Sequence, residues 1–183
     1  MTITADSSLR EVAFLVCTAL DRAGVTAVLT GGNAAGLYAP AAVQSFDLDF
    51  VITLHASTAN SAEVLERLGY TRVGHDYKHS ESPHVLEFPK GPLAIGDELI
   101  QSWNTIREGE LVLHVLTPTD SCRDRLAAYY HFVDRAALEQ ALAVHAAQTE
   151  RIDLSTIRRW SKREGRELDY REFVRRIERD SSS

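Results

Sequence analysis

Two aspartates separated by one residue are the part of this chain best suited to chemistry. Asp47 and Asp49 lie in the run SFDLDFVI at residues 45–52. The alternation predicts a β-strand, in which residues i and i+2 share a face, so both carboxylates point away from the apolar side chains. Carboxylates roughly 7 Å apart on a half-buried strand repel each other and lose hydration, which a hard cation such as Mg²⁺ or Mn²⁺ relieves. The alternative is an exposed sheet face on which both aspartates are solvated.

A glycine pair ahead of the aspartates is the second feature. Residues 27–30 (AVLT) predict a short buried strand that runs directly into Gly31 and Gly32, and a helix is predicted from Asn33 to about Tyr38. A strand, two glycines and a helix N-terminus let backbone N–H groups approach a phosphate closely. A Gly-Gly pair alone is most often only a turn. Before an Asp-x-Asp strand, it predicts a phosphate cradle beside a two-carboxylate metal site.

These residues resemble the nucleotidyltransferase superfamily typified by DNA polymerase β. Its pattern is a Gly-Gly or Gly-Ser turn, a strand carrying Asp-x-Asp, and a third carboxylate on a later strand. Within it, the chain is most similar to the AbiEii/MenT nucleotidyltransferase toxins, in which a Ser or Thr stands where Ser45 precedes Asp47. Residues 117–130 (TPTDSCRDRLAAYY) resemble the second half of that group. The resemblance, from about Val25 to His145, implies a mixed α/β (α+β) sheet flanked by helices, with a helical C-terminal part.

The resemblance also implies an activity. A toxin of this type transfers a nucleotide from an NTP to the 3′ end of tRNA with Mg²⁺, and an antitoxin protein is its expected partner. Gly31, Gly32 and the Ser45 hydroxyl would position phosphate oxygens. Two other hypotheses stay open: a nucleotidyltransferase acting on a small molecule or a protein, like the aminoglycoside-modifying or AMP-transferring members, and an inactive nucleotide-binding module.

A third carboxylate is expected on a strand adjacent to the aspartates. Glu87 is the preferred residue, because in the run HVLEF at residues 84–88 it points away from the apolar Leu86 and Phe88. An acid between apolar residues of a strand is costly unless a cation or a donor satisfies it. A solvent-facing Glu on an edge strand is the alternative, and Asp97 is the second candidate for the role.

The segment after residue 117 supplies the remaining candidates. In the toxin group it carries a Lys that contacts the triphosphate and, further on, an Asp. Arg123 occupies the Lys position here, and Arg binds phosphate bidentately without being equivalent to Lys. Asp134 fits the later Asp, three turns along one predicted helix, so both would face the cleft; Glu139 is the alternative. A surface ion-pair lattice is the competing interpretation of Arg123 and Asp134.

The elements that must position these groups can be read coarsely from periodicity and turn residues. They are helix 8–23, strand 27–30, helix 33–39, strand 46–52, a helix capped by Ser57 or Thr58 and ending at Leu68, strand 70–73, a polar loop 74–83, strand 84–88, strand 111–116, one long helix 119–148 and two shorter helices from Ser155 and about Tyr170. We expect a core at residues 1–117 and a helical region at 118–183, with a possible linker at 148–153.

Composition favours a soluble cytoplasmic enzyme. The chain has 183 residues, 44% of them hydrophobic, which is enough for one good core. No run approaches the roughly 20 apolar residues that cross a bilayer, and no basic segment precedes an apolar run at the N-terminus. Cys17 and Cys122 are expected to be small core residues. The sequence therefore predicts neither a membrane span nor a disulfide framework.

Charge is unevenly distributed along the chain. The net charge is −6, yet residues 150–183 carry ten Lys and Arg against eight Asp and Glu. An acidic body argues against nonspecific wrapping of nucleic acid, whose affinity comes from neutralised phosphates. The basic C-terminal segment is the candidate patch for tRNA. Its alternative is a pair of solvated amphipathic helices whose arginines pair with glutamates.

Overall fold

The computed structural model describes residues 2–43 and 47–180, with only the backbone of Asp180. Along these residues run α1 (Leu9–Arg22), β1 (Val25–Leu29), α2 (Gly31–Tyr38), β2 (Asp47–His55), α3 (Ser61–Arg67), β3 (Tyr70–Val73), β4 (Asp76–His79), β5 (Val85–Glu87), β6 (Ala94–Ile95), β7 (Glu98–Leu99), β8 (Asn104–Glu108), β9 (Leu111–Val115), α4 (Pro118–Phe132), α5 (Arg135–Ala147), α6 (Leu154–Arg163) and α7 (Glu167–Asp180).

The main sheet has the strand order β3-β4-β5-β2-β1-β9-β8 in the described part of the chain. β1 runs antiparallel to β2, whereas the pairs β1–β9 and β2–β5 are parallel. The outer pairs are antiparallel, so the sheet is mixed. α1 packs on β1 and β9, and α2 packs on β2, α4 and α5. These features confirm the predicted mixed sheet flanked by helices, with a helical C-terminal part.

The alternation predicted for the Asp-x-Asp strand is confirmed for its described residues. Leu48 and Phe50 are fully buried, whereas Asp47 is exposed and Asp49 is partly exposed. The strand is two-faced because one face closes the core and the other carries the carboxylates. α1 begins as predicted, with Ser8 and Glu11 forming a capping box.

Several elements were missed because their sequences carry little apolar alternation. β4 lies inside the predicted polar loop and is held between β3 and β5 by backbone pairing. The hairpin β6–β7 and the strand β8 also lacked a hydrophobic signal. The cap predicted for α3 was wrong: Asn60, whose side chain accepts from the backbone N–H of Glu63, begins that helix.

The predicted long helix after residue 117 is two helices. α4 ends at Phe132, and Val133 adopts a left-handed conformation with φ 56°. Asp134 then caps α5 by accepting from the backbone N–H groups of Ala136 and Ala137. An Asp that satisfies the first N–H groups of a new helix favours a break, which periodicity alone does not reveal.

The C-terminal helices are anchored to the rest of the molecule. Trp160 of α6 is fully buried, stacks on Tyr130 and donates from its indole N–H to the carbonyl oxygen of Ile95 at 3.3 Å. The segment predicted as a linker contains a 3-10 turn at Thr149–Arg151. Gln148 donates to the carbonyl oxygen of Tyr38 from there. Within the described residues, no helix has the length and apolar character needed to cross a membrane.

Candidate active site

Three carboxylates share one face of two neighbouring parallel strands. The register of β2 with β5 places Asp47 beside Val85 and Asp49 beside Glu87. Residues in register on parallel strands project to the same face, and so do residues two apart on one strand. Asp47, Asp49 and Glu87 therefore lie on one surface, opposite the buried Leu48 and Leu86.

The glycine turn lies directly against Asp49. The backbone N–H of Thr30 donates to the carbonyl oxygen of Asp49 at 2.9 Å, which extends the pairing of β1 with β2 to the start of α2. Gly31 has φ +69°, and a Cβ built on it would overlap the Asp49 carboxylate. Only glycine satisfies both the backbone angle and the close approach.

The N-terminus of α2 faces the same region. In the part of the chain that the structure describes, Thr30 makes no side-chain capping bond to this helix. The first N–H groups of a helix have no partner within the helix and attract anions. Gly31 and Gly32, the first two residues of α2, therefore offer donors next to the carboxylates.

A cavity of about 340 Å³ brings these groups together with two basic side chains, Lys90 and Arg125. Thr30, Gly31 and Asp49 line one side, and Asp124 and Arg125 of α4 lie with Pro89, Lys90 and other residues around the rest. Arg125 donates to Asp124 Oδ2 from Nε at 2.9 Å and from Nη2 at 2.6 Å. The cavity thus combines carboxylates that suit a metal with an Arg and a Lys that suit phosphate oxygens.

A second cavity adjoins the first one. Its volume is about 470 Å³, and Pro89 and Lys90 line both cavities. Its other lining residues include Glu87 and the aromatic side chains of Tyr77 and Phe88, which meet edge to face with ring centroids 5.7 Å apart. Asp49 thus lines the first cavity, and Glu87 lines the second one, which also presents aromatic rings.

The electrostatics of the carboxylates reflect their crowding. Burial, followed by the charge of Glu87, raises the pKa of Asp49 to about 6. Burial raises the pKa of Glu87 as well, with smaller contributions from Asp76 and Asp47. Both shifts have the sign expected when carboxylates lose water near like charges. A bound cation would reverse this penalty.

The donor set fits a hard divalent cation. Across residues 2–43 and 47–180, no three His, Cys, Asp or Glu side chains already stand together as a ready-made metal site. Mg²⁺ does not need such a cage, because it binds through one or two carboxylates and completes its shell with waters and substrate phosphates. Asp49 and Glu87, in register, with Asp47 on the same strand face, supply oxygen ligands of the right kind.

Arg123 lies apart from this cavity. Its side chain is 2% exposed, pairs with Asp120 at 2.8 Å and with Glu98 at 3.0 Å, and lies over the ring of Trp160 at 5.2 Å. Asp120 and Trp160 belong to helices, and Glu98 belongs to β7. Arg123 therefore joins α4, α6 and the β6–β7 hairpin, and it does not line the cavity that contains Asp49.

The remaining predicted residues are dispersed. Asp134 is the exposed N-cap of α5, so the premise that it shares one helix with Arg123 is wrong. Glu139 pairs with Arg176 on the surface at 2.8 Å. Asp97 is exposed in the β6–β7 turn, where it lines a different cavity with Arg163 and other residues. Ser45 lies outside the described residues.

Sequence reasoning missed Lys90 and Arg125 as groups of this site. Lys90 lies in the run PKGP at residues 89–92, which indicates only a turn, and Arg125 lies in the charged run DSCRDR at residues 120–125. Helical periodicity could have predicted which arginine points inward. Residues 123, 126 and 130 share one helix face, and the last two are apolar or aromatic. That face is buried, so Arg123 had to point inward and Arg125 elsewhere.

Comparisons with known proteins leave the family open. No family model and no curated protein matches the chain. A solved structure of the antibiotic-resistance factor ANT(2″)-Ia is similar over 92% of this chain and 94% of its own, with 12% sequence identity and a TM-score of 0.49. A match at this level assigns neither activity nor substrate. Fold and site define the class as a mixed α/β protein with an acidic, cation-suited cleft, and membership of the AbiEii/MenT group stays a prediction.

Proposed function

We propose that this protein is a divalent-metal-dependent nucleotidyltransferase that transfers a nucleotide from an NTP to an acceptor hydroxyl. The observation that carries the proposal is the register of Asp49 with Glu87, which places two carboxylates side by side next to the helix N-terminus at Gly31. Asp49 and Gly31 line one cavity together with Lys90 and Arg125, and this supports a site for a cation and a phosphate there.

The proposed roles belong to residues that line this cavity and to residues next to it. Asp47, Asp49 and Glu87 would hold Mg²⁺ or Mn²⁺, which when bound stabilises negative charge on a transferring phosphoryl group. The backbone N–H groups of Gly31 and Gly32 bind and orient phosphate oxygens. Arg125 and Lys90 neutralise charge on the leaving pyrophosphate, the role that the resemblance gave to Arg123. No covalent intermediate with the protein is needed.

The 3′ end of an RNA, in particular tRNA, is the first candidate acceptor. A groove of about 770 Å³ between α6 and α7 is lined by Arg158, Arg171 and Arg175, together with Glu167 and other residues. Arginines that line one groove suit a phosphate backbone, and this groove lies in the basic segment of an otherwise acidic chain. If tRNA is the acceptor, the role we propose is that of a toxin with an antitoxin protein as its partner, as the resemblance implies.

A cationic small molecule is the second candidate acceptor. Asp76 and Glu87 lie at the cavity that contains Tyr77 and Phe88, and Asp49 and Asp124 lie at the adjoining one. An acidic cleft raises the local concentration of a cation and disfavours a polyanion. An aminoglycoside-like polyamine would meet these carboxylates directly.

One assay separates these possibilities. The purified protein is incubated with each α-labelled NTP and Mg²⁺, with total RNA in one reaction and an aminoglycoside in another, and EDTA in parallel controls. Label on RNA supports the first acceptor, and label on the small molecule supports the second. Absence of metal-dependent transfer to RNA, small molecules and lysate proteins would overturn the enzymatic proposal and leave an inactive nucleotide-binding module.

A further inference from the structure

A chain of three polar side chains joins α1 to the outer strands β8 and β9. Thr105 and His114 stand opposite each other in the antiparallel pair β8–β9. The hydroxyl oxygen of Thr105 lies 2.9 Å from His114 Nδ1, and Asp21 Oδ1 lies 3.2 Å from His114 Nε2. These three residues line neither cavity of the carboxylate site. A hydroxyl, an imidazole and a carboxylate in this order are the parts of a nucleophilic relay.

The carboxylate of Asp21 sets the direction of both hydrogen bonds. An ionised carboxylate only accepts, so His114 Nε2 carries the proton that it donates to Asp21. In the neutral ring, Nδ1 is then an acceptor, and the Thr105 hydroxyl donates to it. The Thr105 hydroxyl therefore points its proton at a base, which is the arrangement that activates a hydroxyl as a nucleophile.

Contacts between α1 and β9 hold Asp21 in place. Thr18, three residues before Asp21, accepts from the backbone N–H of Val112 at 2.8 Å and donates to its carbonyl oxygen at 3.1 Å. The backbone N–H of His114 donates to Cys17 Sγ at 3.2 Å. Cys17 and Thr18 are both buried, so the distance between the helix and the strand is fixed by packing as well as by these bonds.

The surroundings of the relay suit reaction with a molecule that arrives from solvent. The side chain of His114 is 12% exposed, and the ring of Trp103 meets it edge to face with centroids 6.3 Å apart, so the base is shielded from water. Thr105 is exposed, so a donor can reach its hydroxyl. Arg107 is also exposed and lies two residues along β8, on the same strand face. A guanidinium in this position suits an anionic group on the donor.

We propose that Thr105 is an acylation site that takes an acyl group from an acyl phosphate. The Thr105 oxygen attacks the carbonyl carbon, and its proton passes to His114 Nδ1. An ester bond forms as the bond between the carbonyl carbon and the phosphate oxygen breaks. His114 returns the proton to the departing phosphate, which leaves beside Arg107 as hydrogen phosphate. Asp21 is a positioning residue that acts through His114. This inference does not depend on the proposed nucleotidyl transfer.

A structural bridge between α1 and the β8–β9 pair is the competing role. Such a bridge would make the same two hydrogen bonds and stabilise the fold. It would leave Thr105 no more reactive than another exposed threonine of a strand. Thr71 in β3 is the internal reference, because it is exposed and stands opposite Lys78 instead of a histidine. Covalent reactivity therefore separates the two roles, whereas stability does not.

The test uses acetyl phosphate as the probe and the full chain, with peptide mass spectrometry of acetyl esters that hydroxylamine removes. We expect the ester yield at Thr105 to exceed that at Thr71 about tenfold or more. His114→Gln and Asp21→Asn should each lower the yield at Thr105 about tenfold without changing Thr71, and Asp21→Glu, which keeps the carboxylate, should restore part of it. Equal yields at Thr105 and Thr71 in the wild type, or an unchanged yield at Thr105 in folded His114→Gln, would overturn the proposal.

Arg107→Gln tests the class of donor. The ester yield from acetyl phosphate should fall about fivefold or more, because the anionic group loses its cation. The yield from p-nitrophenyl acetate, an uncharged donor, should stay the same. Arg67→Gln, at an exposed arginine of α3, is the matched control. An unchanged yield from acetyl phosphate in Arg107→Gln would refute the acyl phosphate as the donor.

Discussion

Asp49 and Glu87 stand at the same level of two adjacent parallel strands, with their side chains on the same face of the sheet. The two carboxyls belong to segments separated by α3 and two strands, so only the parallel pairing of β2 with β5 brings them together. The pKa of Asp49 is raised to about 6 by burial and then by Glu87. The protein therefore keeps a destabilising pair of acids where a binding site would need them.

The first prediction concerns pH and stability without metal. The pKa of Asp49 lies above the usual unfolded value of about 3.9, so between about pH 4 and pH 6 the native state holds a proton that the unfolded state has lost. Stability should fall as pH rises through this window, by on the order of 2 kcal/mol, and this contribution should be constant above it. Urea unfolding in EDTA from pH 4 to 7 measures this.

Asp49→Asn should remove that slope and stabilise the protein at pH 7 in EDTA. Asp47→Asn is the matched control, because Asp47 is exposed on the same strand face and is only a minor influence on Asp49. Equal pH profiles for the wild type and Asp49→Asn would show that Asp49 does not carry the strain.

The second prediction separates the carboxylates that hold a cation from one that does not. Asp49→Asn and Glu87→Gln should each reduce metal-dependent transfer at least about a hundredfold, since each loses an oxygen ligand of the metal. Asp97→Asn, at the exposed β6–β7 turn, should leave transfer intact. Mg²⁺-NTP should raise the melting temperature of the wild type and Asp97→Asn only. Strong loss in Asp97→Asn with normal turnover in Glu87→Gln would exchange the roles of these two acids.

The third prediction isolates the close approach of Gly31. Gly31→Ala suffers both the left-handed backbone angle and the overlap with the Asp49 carboxylate, so it should lower stability by about 2 kcal/mol or more and weaken NTP binding. Gly74→Ala has nearly the same backbone angle, φ +67°, but nothing within 4 Å of the new Cβ. It should cost only about 1 kcal/mol and leave NTP binding unchanged. Identical effects of the two substitutions on NTP affinity would contradict the packing of Gly31 on Asp49.

The fourth prediction distinguishes two arginines of α4. Arg123→Gln should destabilise the protein by about 3 kcal/mol, because Asp120 and Glu98 lose a buried partner. Arg125→Gln should change stability little and raise the KM for NTP about tenfold, since Arg125 lines the cavity with Asp49. Thermal unfolding and initial rates over an NTP series provide both numbers. A larger KM effect at Arg123 in a folded variant would return the phosphate role to that residue.

The fifth prediction concerns the C-terminal helices. Trp160→Ala should cost about 3 to 5 kcal/mol because the ring is fully buried and stacked on Tyr130, and truncation after Gln148 should unfold the protein. Leu168→Ala is the control, as Leu168 is largely exposed. A truncated chain that keeps a cooperative unfolding transition would show that these helices are dispensable.

Charge reversal in α6 tests the second role proposed for the C-terminal helices, which is RNA binding. Arg158→Glu with Lys162→Glu changes two exposed side chains, so the fold should persist. If RNA lies along the groove between α6 and α7, the apparent KM for RNA should rise and the salt dependence of RNA binding should weaken. NTP affinity should be unchanged. Undiminished transfer to RNA at moderate salt would remove the segment from the acceptor site.

The sequence predicted structure best at the Asp-x-Asp strand, where buried apolar residues and candidate site residues alternate in one pattern. The alternation around Leu48 and the glycines before it predicted both the strand and the turn that meets it, because packing and backbone geometry act locally there. The pairing of Asp49 with Glu87 depends on which strands become neighbours, which no local pattern encodes. Arg123 and Arg125 differ for a local reason: the buried face of α4 takes Arg123 inward and leaves Arg125 to reach the cavity, and the periodicity of apolar residues along the helix marks that face.

The parallel pairing of β1 with β9 has a consequence for how the molecule assembles. Val28 pairs with His114 and Leu29 with Val115, directly beside the turn at Gly31. Contacts between such distant positions require closure of a long loop, which costs chain entropy and slows folding. During synthesis, the β1 edge that will receive β9 must wait unpaired until residues beyond 115 leave the ribosome. The cleft, whose far wall is α4, is then complete only after the last third of the chain has begun to emerge, so a partly synthesised chain lacks the whole site.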